Sequence, residues 1–152
     1  EQTQNWVHEA MARDIDLALE GEDDPVMIRG NALLLAELLN NLIDNALRYT
    51  PRGGTVTVRV RVTPTQAILE VEDSGPGIPE AEREMVFDRF YRVLGTATDG
   101  SGLGLAIVRE IAHQHGASIT VTGNSQPGTD AGPGTRIATA FGRSRPIEPV
   151  VN

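Results

Sequence analysis

The sequence predicts an α/β fold with two layers, one mixed and mostly antiparallel sheet packed against helices. Some segments alternate apolar and polar residues, as strands with one buried face do, while others repeat apolar residues at helical spacing. The two kinds of segment mix without the regular alternation of a parallel α/β protein. With 152 residues, 39% of them hydrophobic, the chain is long enough for one domain with its own core.

The first half of the chain is predicted to run from a connecting helix into the central strands. In order, the predicted elements are a helix within residues 1–14, a hairpin of 15–19 with 26–29, a long helix from 31 to 50, and strands at 56–62 and 67–71. Asn31 is a favourable N-cap for the long helix. Thr50 precedes a proline, which pushes it out of the helical region and ends the helix.

The second half is predicted to hold two helices and two more strands. These are a short helix at 79–90, a longer helix at 103–115, and strands at 118–122 and 135–141. Pro79 suits the first position of a helix, and Gly116 suits the position just after one. His113 and His115 come at the end of the longer helix, where we expect them to satisfy its last carbonyl groups.

Composition excludes several classes of function. The net charge is −8 and every basic residue is an arginine, so no nucleic-acid partner is expected. Without lysine or cysteine there is no P-loop lysine, disulfide or thiolate, and a cytoplasmic location is the default. The longest apolar run, at 32–36, is too short to span a membrane, and we expect no direct membrane contact.

Two asparagines lie on one stripe of the long helix. Glu37, Asn41 and Asn45 are spaced by four residues, with Arg48 and Tyr49 one turn further on. Because asparagine is a poor helix former, this repeat suggests that the amide oxygens have a partner, such as a cation or a phosphate-bound water. The alternative is a polar stripe that only faces solvent.

An acidic residue falls on the buried face of a strand. The alternation of the second strand turns Asp73 inward, and Ser74-Gly75-Pro76-Gly77 follows it. A buried carboxylate needs hydrogen-bond donors, and an exocyclic amine such as that of adenine would supply them. The glycines would let a ligand approach the backbone closely. The alternative is an ordinary Asp-Gly turn.

A second glycine-rich segment leads directly into a helix. Gly100, Gly102 and Gly104 alternate with other residues, and exposed backbone N–H groups at a helix N-terminus bind anions. The alternative is a flexible hinge. Residues 87–92 precede this segment and combine aromatic side chains with two arginines, which could neutralise a polyphosphate.

Together these motifs resemble the nucleotide-binding boxes of bacterial sensor histidine kinases. The N, first glycine, phenylalanine, second glycine and third glycine boxes correspond to residues 41–50, 73–79, 87–90, 100–105 and 134–135. The resemblance covers residues 15–141 and implies a Bergerat ATP-binding fold, a mixed sheet on three helices with an ATP lid at 79–100. Residues 1–14 would connect to a missing dimerisation and phosphoacceptor domain, and 142–152 would be a flexible tail.

The resemblance also implies roles for individual residues. Asn45 would bind Mg²⁺, Asp73 would accept from the adenine amine, and Arg89 or Arg92 would reach the γ-phosphate. The implied catalytic residues are Asn41, Arg48, Arg89 and Arg92. The implied ATP-binding residues are Asn41, Asn45, Arg48, Tyr49, Asp73, Gly75, Gly77, Ser101, Gly102, Leu103, Gly104 and Thr135.

The implied function is to bind Mg-ATP and donate its γ-phosphoryl group to a histidine on a separate dimerisation domain, with a response regulator as an indirect partner. Related ATPases carry a glutamate where this chain has Asn41, so hydrolysis should be slow, with Glu37 the first alternative base. His8 lacks the residues that follow an acceptor histidine. Two alternatives are an anti-sigma-factor serine kinase, whose relatives lack the phenylalanine box, and a non-catalytic nucleotide sensor.

Overall fold

A computed structural model describes residues 8–21, 30–88, 104–123 and 134–142. The helices are α1 (residues 8–12), α2 (Ala32–Tyr49) and α3 (Gly104–Gln114). The strands are β1 (Asp16–Glu20), β2 (Thr55–Val62), β3 (Gln66–Asp73), β4 (Ser118–Thr122) and β5 (Thr135–Gly142). They form one sheet in the order β1-β2-β3-β5-β4, with β1 parallel to β2 and every other pair antiparallel. The predicted mixed, mostly antiparallel sheet is confirmed.

Helix α2 begins and ends where its capping residues require. The Asn31 side chain accepts hydrogen bonds from the backbone N–H groups of Leu33 and Leu34, as an N-cap does. At the other end, Thr50 is extended, and both its N–H and its hydroxyl donate to the Ala46 carbonyl. Between these caps one face of the helix is buried, which fixes α2 against the sheet.

The core lies between the helices and the inner face of the sheet. Its buried side chains come from α2, α3 and alternate positions of β2, β3 and β5. Examples are Leu42 and Ile43 on α2, Val108 on α3, Val56 on β2 and Phe141 on β5. Each such side chain contributes about 1.5–3 kcal/mol by leaving water, so this layer stabilises the fold and holds α2 and α3 in place.

The outer face of the sheet carries a network of ion pairs that the sequence did not predict. Glu70 and Glu72 on β3 are almost completely buried, and arginines of the neighbouring strands surround them. The outer-face network runs across all five strands through Glu20, Arg59, Arg61, Glu70, Glu72, Arg136 and Thr122. Burial by itself raises the pKa of Glu70, but hydrogen bonds from Arg61 and Arg59 outweigh it, and the pKa lies below its usual value.

Two sequence predictions need correction or lie beyond the described residues. The helix predicted at 79–90 is instead two single 3-10 turns, Glu80–Glu82 and Met85–Phe87, followed by an extended Asp88. Pro79 is itself extended, and neither turn has a side-chain cap, so no helix propagates. The second strand of the predicted hairpin, 26–29, lies outside the described residues, and β1 pairs with β2.

Strands β1 to β5 and helices α2 and α3 match the sequence predictions to within one or two residues, while residues 1–7 of the predicted connecting helix lie outside the described residues. Helix α3 ends before Gly116, whose φ of 64° is the left-handed conformation expected after a helix. Among the described helices, none combines the length and apolar character needed to cross a bilayer.

Candidate functional site

Asp73 lies at the end of β3 and points into the protein, as its position in the strand predicted. Its side chain is buried, and Oδ1 accepts a hydrogen bond from the Gly75 N–H at 2.9 Å. Burial raises the pKa of Asp73 to about 6, although hydrogen bonds from the backbone of Gly75 and Thr135 act in the opposite direction. A buried carboxyl group with a strongly raised pKa is characteristic of a functional site.

The loop after Asp73 is held between α2 and β5. A side chain at Gly75 would place its Cβ 2.7 Å from the Tyr49 carbonyl oxygen, so only glycine fits there. The Gly75 carbonyl accepts from the Gly134 N–H at 2.9 Å, and Gly77 has a φ of 83°. These contacts bring together residues of the predicted first and third glycine boxes.

Thr135 begins β5 directly opposite Asp73, and its side chain is also buried. The structure therefore brings Asp73, Gly75 and Thr135 together at one end of the sheet. The C-terminus of α2 closes this end, because the Tyr49 carbonyl lies against Gly75. We call this group of residues the carboxylate end of the site.

Sequence reasoning missed the part that Ser74 plays here. Its backbone N–H donates to the Thr55 carbonyl at 3.0 Å, and its hydroxyl oxygen accepts from the Thr55 N–H at 2.9 Å. Ser74 thereby extends the pairing of β3 with β2 by one residue and anchors the loop that carries Gly75. The only sequence signal was a hydroxyl residue just after a strand.

Asn41 lies at the other end of the site, where α2 meets α3. Its amide nitrogen donates to the Glu37 carbonyl at 2.9 Å, and its Oδ1 faces Gly104, where an added Cβ would be 3.2 Å away. The first residue of α3 and the predicted phosphate stripe are thus adjacent. We call this contact the amide end of the site.

The two ends are separated by a length of helix that suits an extended ligand. Asn41 precedes Tyr49 by eight residues, which is about 12 Å along the axis of an α-helix. Asn45 lies midway and is half-buried, while Glu37 is exposed. A ligand that contacts both ends must be elongated, with a hydrogen-bond donor at the carboxylate end.

The structure gives less information about the other predicted site residues. Arg48 pairs with Asp44 through Nε and Oδ2 at 3.0 Å, and both side chains are well exposed. The remaining predicted site residues, Arg89, Arg92, Ser101, Gly102 and Leu103, lie outside the described residues. The same holds for the predicted lid beyond residue 88.

The described residues contain no cluster of three or more histidine, aspartate or glutamate side chains suited to a metal ion. Mg²⁺, however, keeps most of its waters and needs only one or two protein oxygens beside phosphate oxygens. The half-buried amide of Asn45 can provide one such oxygen.

Comparisons with known proteins show the family and the fold of the chain. The family model for histidine kinase-, DNA gyrase B- and HSP90-like ATPases matches residues 30–142. The swarming motility regulation sensor protein RssA of Serratia marcescens is 42% identical over 114 residues, which are 74% of this chain and 24% of that protein. The histidine-protein kinase/phosphatase MprB of Mycobacterium sp. strain KMS is 50% identical over 108 residues, 67% of this chain and 21% of MprB.

The chain thus spans about a fifth to a quarter of the length of these relatives. Among solved structures, a mycobacterial sensor histidine kinase MprB has a TM-score of 0.82 and 34% identity. The match covers 96% of this chain and 95% of that one. The Bergerat-type fold expected from the motifs is therefore confirmed, and the chain belongs to the histidine kinase-, DNA gyrase B- and HSP90-like ATPase family, with the catalytic domains of sensor histidine kinases.

Proposed function

We propose that this chain binds ATP together with Mg²⁺ and donates the γ-phosphoryl group to a histidine on a separate dimerisation domain. That histidine would then pass the group to a response regulator. The observation that carries the proposal is the buried carboxylate of Asp73, held by Gly75 and Thr135 at one end of an elongated site. The names of the similar proteins, which include sensor kinases, support the same class of reaction.

The carboxylate end suits adenine. An ionised carboxylate only accepts hydrogen bonds, and the exocyclic amine of adenine donates them. Guanine presents a carbonyl oxygen at the corresponding position, so two acceptors would face each other without a proton between them. Asp73 therefore favours adenine over guanine nucleotides, and Thr135 beside it offers a second polar group.

The amide end suits the triphosphate. Asn45 would hold Mg²⁺, and Asn41 would support the phosphates or the waters of the metal, beside the first turn of α3. Arg48, one turn further along α2, would have to exchange its exposed partner Asp44 for a phosphate oxygen. When bound, Mg²⁺ neutralises charge on the phosphates and fixes their geometry.

The reaction needs little acid–base chemistry from this chain. Asn41 occupies the position from which a base would activate water, and an amide cannot accept that proton. A neutral imidazole already has a nitrogen lone pair, so an acceptor histidine can attack without being deprotonated. Phosphoryl transfer then depends on positioning and charge neutralisation, and water should be a poor competitor.

Radiolabel transfer tests this proposal. The chain is mixed with γ-labelled Mg-ATP and a separate dimerisation domain from a similar sensor kinase, and a version of that domain with its acceptor histidine replaced by glutamine is the control. We expect acid-labile label on the histidine-bearing domain only. Turnover by the chain alone should be far below the roughly 10 s⁻¹ of a median enzyme.

Rapid phosphate release without labelled histidine would contradict the kinase proposal and favour an ATPase. Glu37 would then be the first residue to replace, because it lies one turn before Asn41 on the same stripe of α2. Failure of the chain to bind ATP at all would contradict the whole proposal.

Asn45→Ala tests the metal. We expect Mg²⁺ to tighten ATP binding by the wild-type chain but to lose that effect in the variant, because the protein oxygen that holds the ion is gone. Asn40→Ala is the matched control, since Asn40 is also an amide of α2 but lies on a different face. Calorimetry with and without Mg²⁺ measures both, and an unchanged Mg²⁺ effect in Asn45→Ala would place the ligand elsewhere.

A further inference from the structure

His115 connects the end of α3 to the beginning of α2. Its Nδ1 lies 2.8 Å from the Ile111 carbonyl oxygen, and its Nε2 lies 3.1 Å from the backbone nitrogen of Asn31. Asn31 is the N-cap of α2. The expectation that His115 satisfies a carbonyl at the end of its own helix is confirmed, but the bond to α2 was not foreseen.

These two partners define the protonation of the ring. The Ile111 carbonyl can only accept, so Nδ1 must carry a proton, and the Asn31 N–H can only donate, so Nε2 must carry none. The two hydrogen bonds together assign the Nδ1–H tautomer to the ring.

The ring is also fixed by packing. It meets the edge of the Phe141 ring at a centroid distance of 6.2 Å and an interplanar angle of 84°. On the α2 side, a Cβ at Gly30 would lie 2.6 Å from Cδ2 and 2.7 Å from Nε2, so the backbone approaches the ring as closely as glycine allows. Because Phe141 and the backbone at Gly30 both contact the ring, His115 makes a rigid connection between the two helices.

Besides their packing in the core, helices α2 and α3 meet at two further points. One is the bond between His115 and Asn31, and the other is the contact between Gly104 and Asn41 at the amide end. Counted from Asn31 to Asn41 and from Gly104 to His115, the two points are ten and eleven residues apart, or about 15 Å and about 16.5 Å at the rise of an α-helix. The helices thus run antiparallel, and the spans between the two points are similar although α2 has 18 residues and α3 has 11. The position of α3 at one point therefore constrains its position at the other.

We propose that His115 is a positioning residue for the triphosphate. By fastening the N-terminus of α2 to the C-terminus of α3, it sets the separation of Asn41 from the first turn of α3, where the phosphates bind. The carboxylate end, formed by Asp73, Gly75 and Thr135, depends less on this connection, because β3 and β5 build most of it and α2 contributes only its far end at Tyr49. This inference rests on the proposed function for the phosphate contacts.

The test compares ATP with adenosine, which lacks all phosphates. In His115→Leu the ring is replaced by an apolar side chain, and we expect ATP affinity to fall by up to about fivefold, the limit set by the free energy of one neutral hydrogen bond, with adenosine affinity unchanged. His115→Gln keeps an acceptor at the same distance along the side chain and should restore ATP affinity to within about twofold of the wild type. His113→Leu, an exposed histidine on the same helix, is the control and should change neither affinity.

Two further measurements guard against a variant that folds poorly. Gly30→Ala should show the same selective loss of ATP affinity, because its Cβ would displace the ring. Imidazole ¹⁵N chemical shifts of the wild-type chain should report the Nδ1–H form of His115.

Equal losses for ATP and adenosine would show a merely structural role and overturn the inference. So would unchanged ATP affinity in His115→Leu, or an Nε2–H form in the wild type. Wild-type protein that binds no ATP would overturn the proposed function and this role of His115 together. ATP binding with unselective losses would overturn the role of His115 alone.

Discussion

Asp73 lowers the stability of the ligand-free protein, because its charged form is buried. Its raised pKa means that folding disfavours the carboxylate, and backbone N–H groups of Gly75 and Thr135 offset only part of that cost. Under the proposed function, an adenine amine would add a further donor. If Asp73 binds adenine as we propose, its burial lowers the stability of the ligand-free protein and serves recognition of the nucleotide.

Asp73→Asn should separate these two effects. We expect ATP binding to weaken by about 1.5–3 kcal/mol, since a charged acceptor becomes a neutral amide. The fold should remain, because the amide oxygen can still accept from the Gly75 N–H. Calorimetry measures the affinity for ATP, and circular dichroism shows whether the variant keeps its fold. Equal ATP affinity in both proteins would remove Asp73 from the site.

The pH dependence of stability should reveal the same carboxyl group. With a pKa near 6 in the folded state against 3.8 in the unfolded chain, Asp73 binds a proton more tightly when folded. Its contribution to the free energy of unfolding therefore rises as pH falls from about 6 to about 4, by about 1–3 kcal/mol.

Urea unfolding of the wild type and of Asp73→Asn between pH 7 and pH 4 isolates this contribution as a difference. Glu70 acts in the opposite direction, because its lowered pKa means that its contribution disappears at more acidic pH, as the folded group takes up a proton. If the difference in unfolding free energy between the two proteins did not change with pH, a raised pKa for Asp73 would be contradicted.

At the scale of elements, sequence patterns predicted local structure well and pairing poorly. The valine alternation of β2 and the Asn31 cap of α2 depend on neighbouring residues, and both elements are found where expected. The parallel pairing of β1 with β2 and the bond from His115 to Asn31 join residues far apart in the chain. No local pattern encodes such contacts.

In the candidate site too, features set by local sequence were predicted, and features set by distant pairing were not. Strand phase alone placed Asp73 inward, and helical spacing placed Asn41 and Asn45 on one stripe. The short helix predicted at 79–90 was wrong because a favourable first residue does not supply the hydrogen bonds that propagate a helix. The role of Ser74 was not predicted, because it depends on the pairing of β3 with β2.

Gly75→Ala tests the junction between elements. Its Cβ would lie 2.7 Å from the Tyr49 carbonyl oxygen, and backbone at the end of α2 cannot move away without disturbing the core. We expect a loss of about 1–3 kcal/mol in unfolding free energy, together with weaker ATP binding.

Gly21→Ala is the control for this substitution, because nothing lies within 4 Å of a Cβ at that position. It should change the unfolding free energy by less than about 0.5 kcal/mol. Similar effects at Gly21 and Gly75 would mean that close packing does not explain the glycine beside Tyr49.

At the scale of the whole molecule, the outer-face network links all five strands of the sheet by ion pairs and hydrogen bonds, on the side away from the core. Arg59 is its central residue, with Nη1 2.6 Å from Glu72 and 3.3 Å from Glu70, and Nε 2.9 Å from Glu20. Its hydrogen bonds to those glutamates raise the pKa of Arg59 above its usual value. Such a network holds buried carboxylates that would otherwise be costly.

Arg59→Met keeps the apolar stem of the side chain and removes the charge. We expect a loss of about 1–3 kcal/mol in unfolding free energy, below the 3–5 kcal/mol of a fully buried pair, because Arg59 is partly exposed and solvent screens it. Arg52→Met, at an exposed position before β2, should change stability by less than about 0.5 kcal/mol. Urea unfolding compares the two, and equal effects would show that the network does not stabilise the sheet.

The pairing of β3 with β5 has a consequence for the order of folding. Strands β2 and β3 are joined by a short turn and can pair early, whereas β5 reaches β3 only after the long intervening chain has been brought back. Asp73 and Thr135 meet through that late pairing. A nascent or partly folded chain therefore has the carboxylate but not the pocket, so we expect nucleotide to bind only after the sheet is complete and to act on the unfolding rate more than on the folding rate.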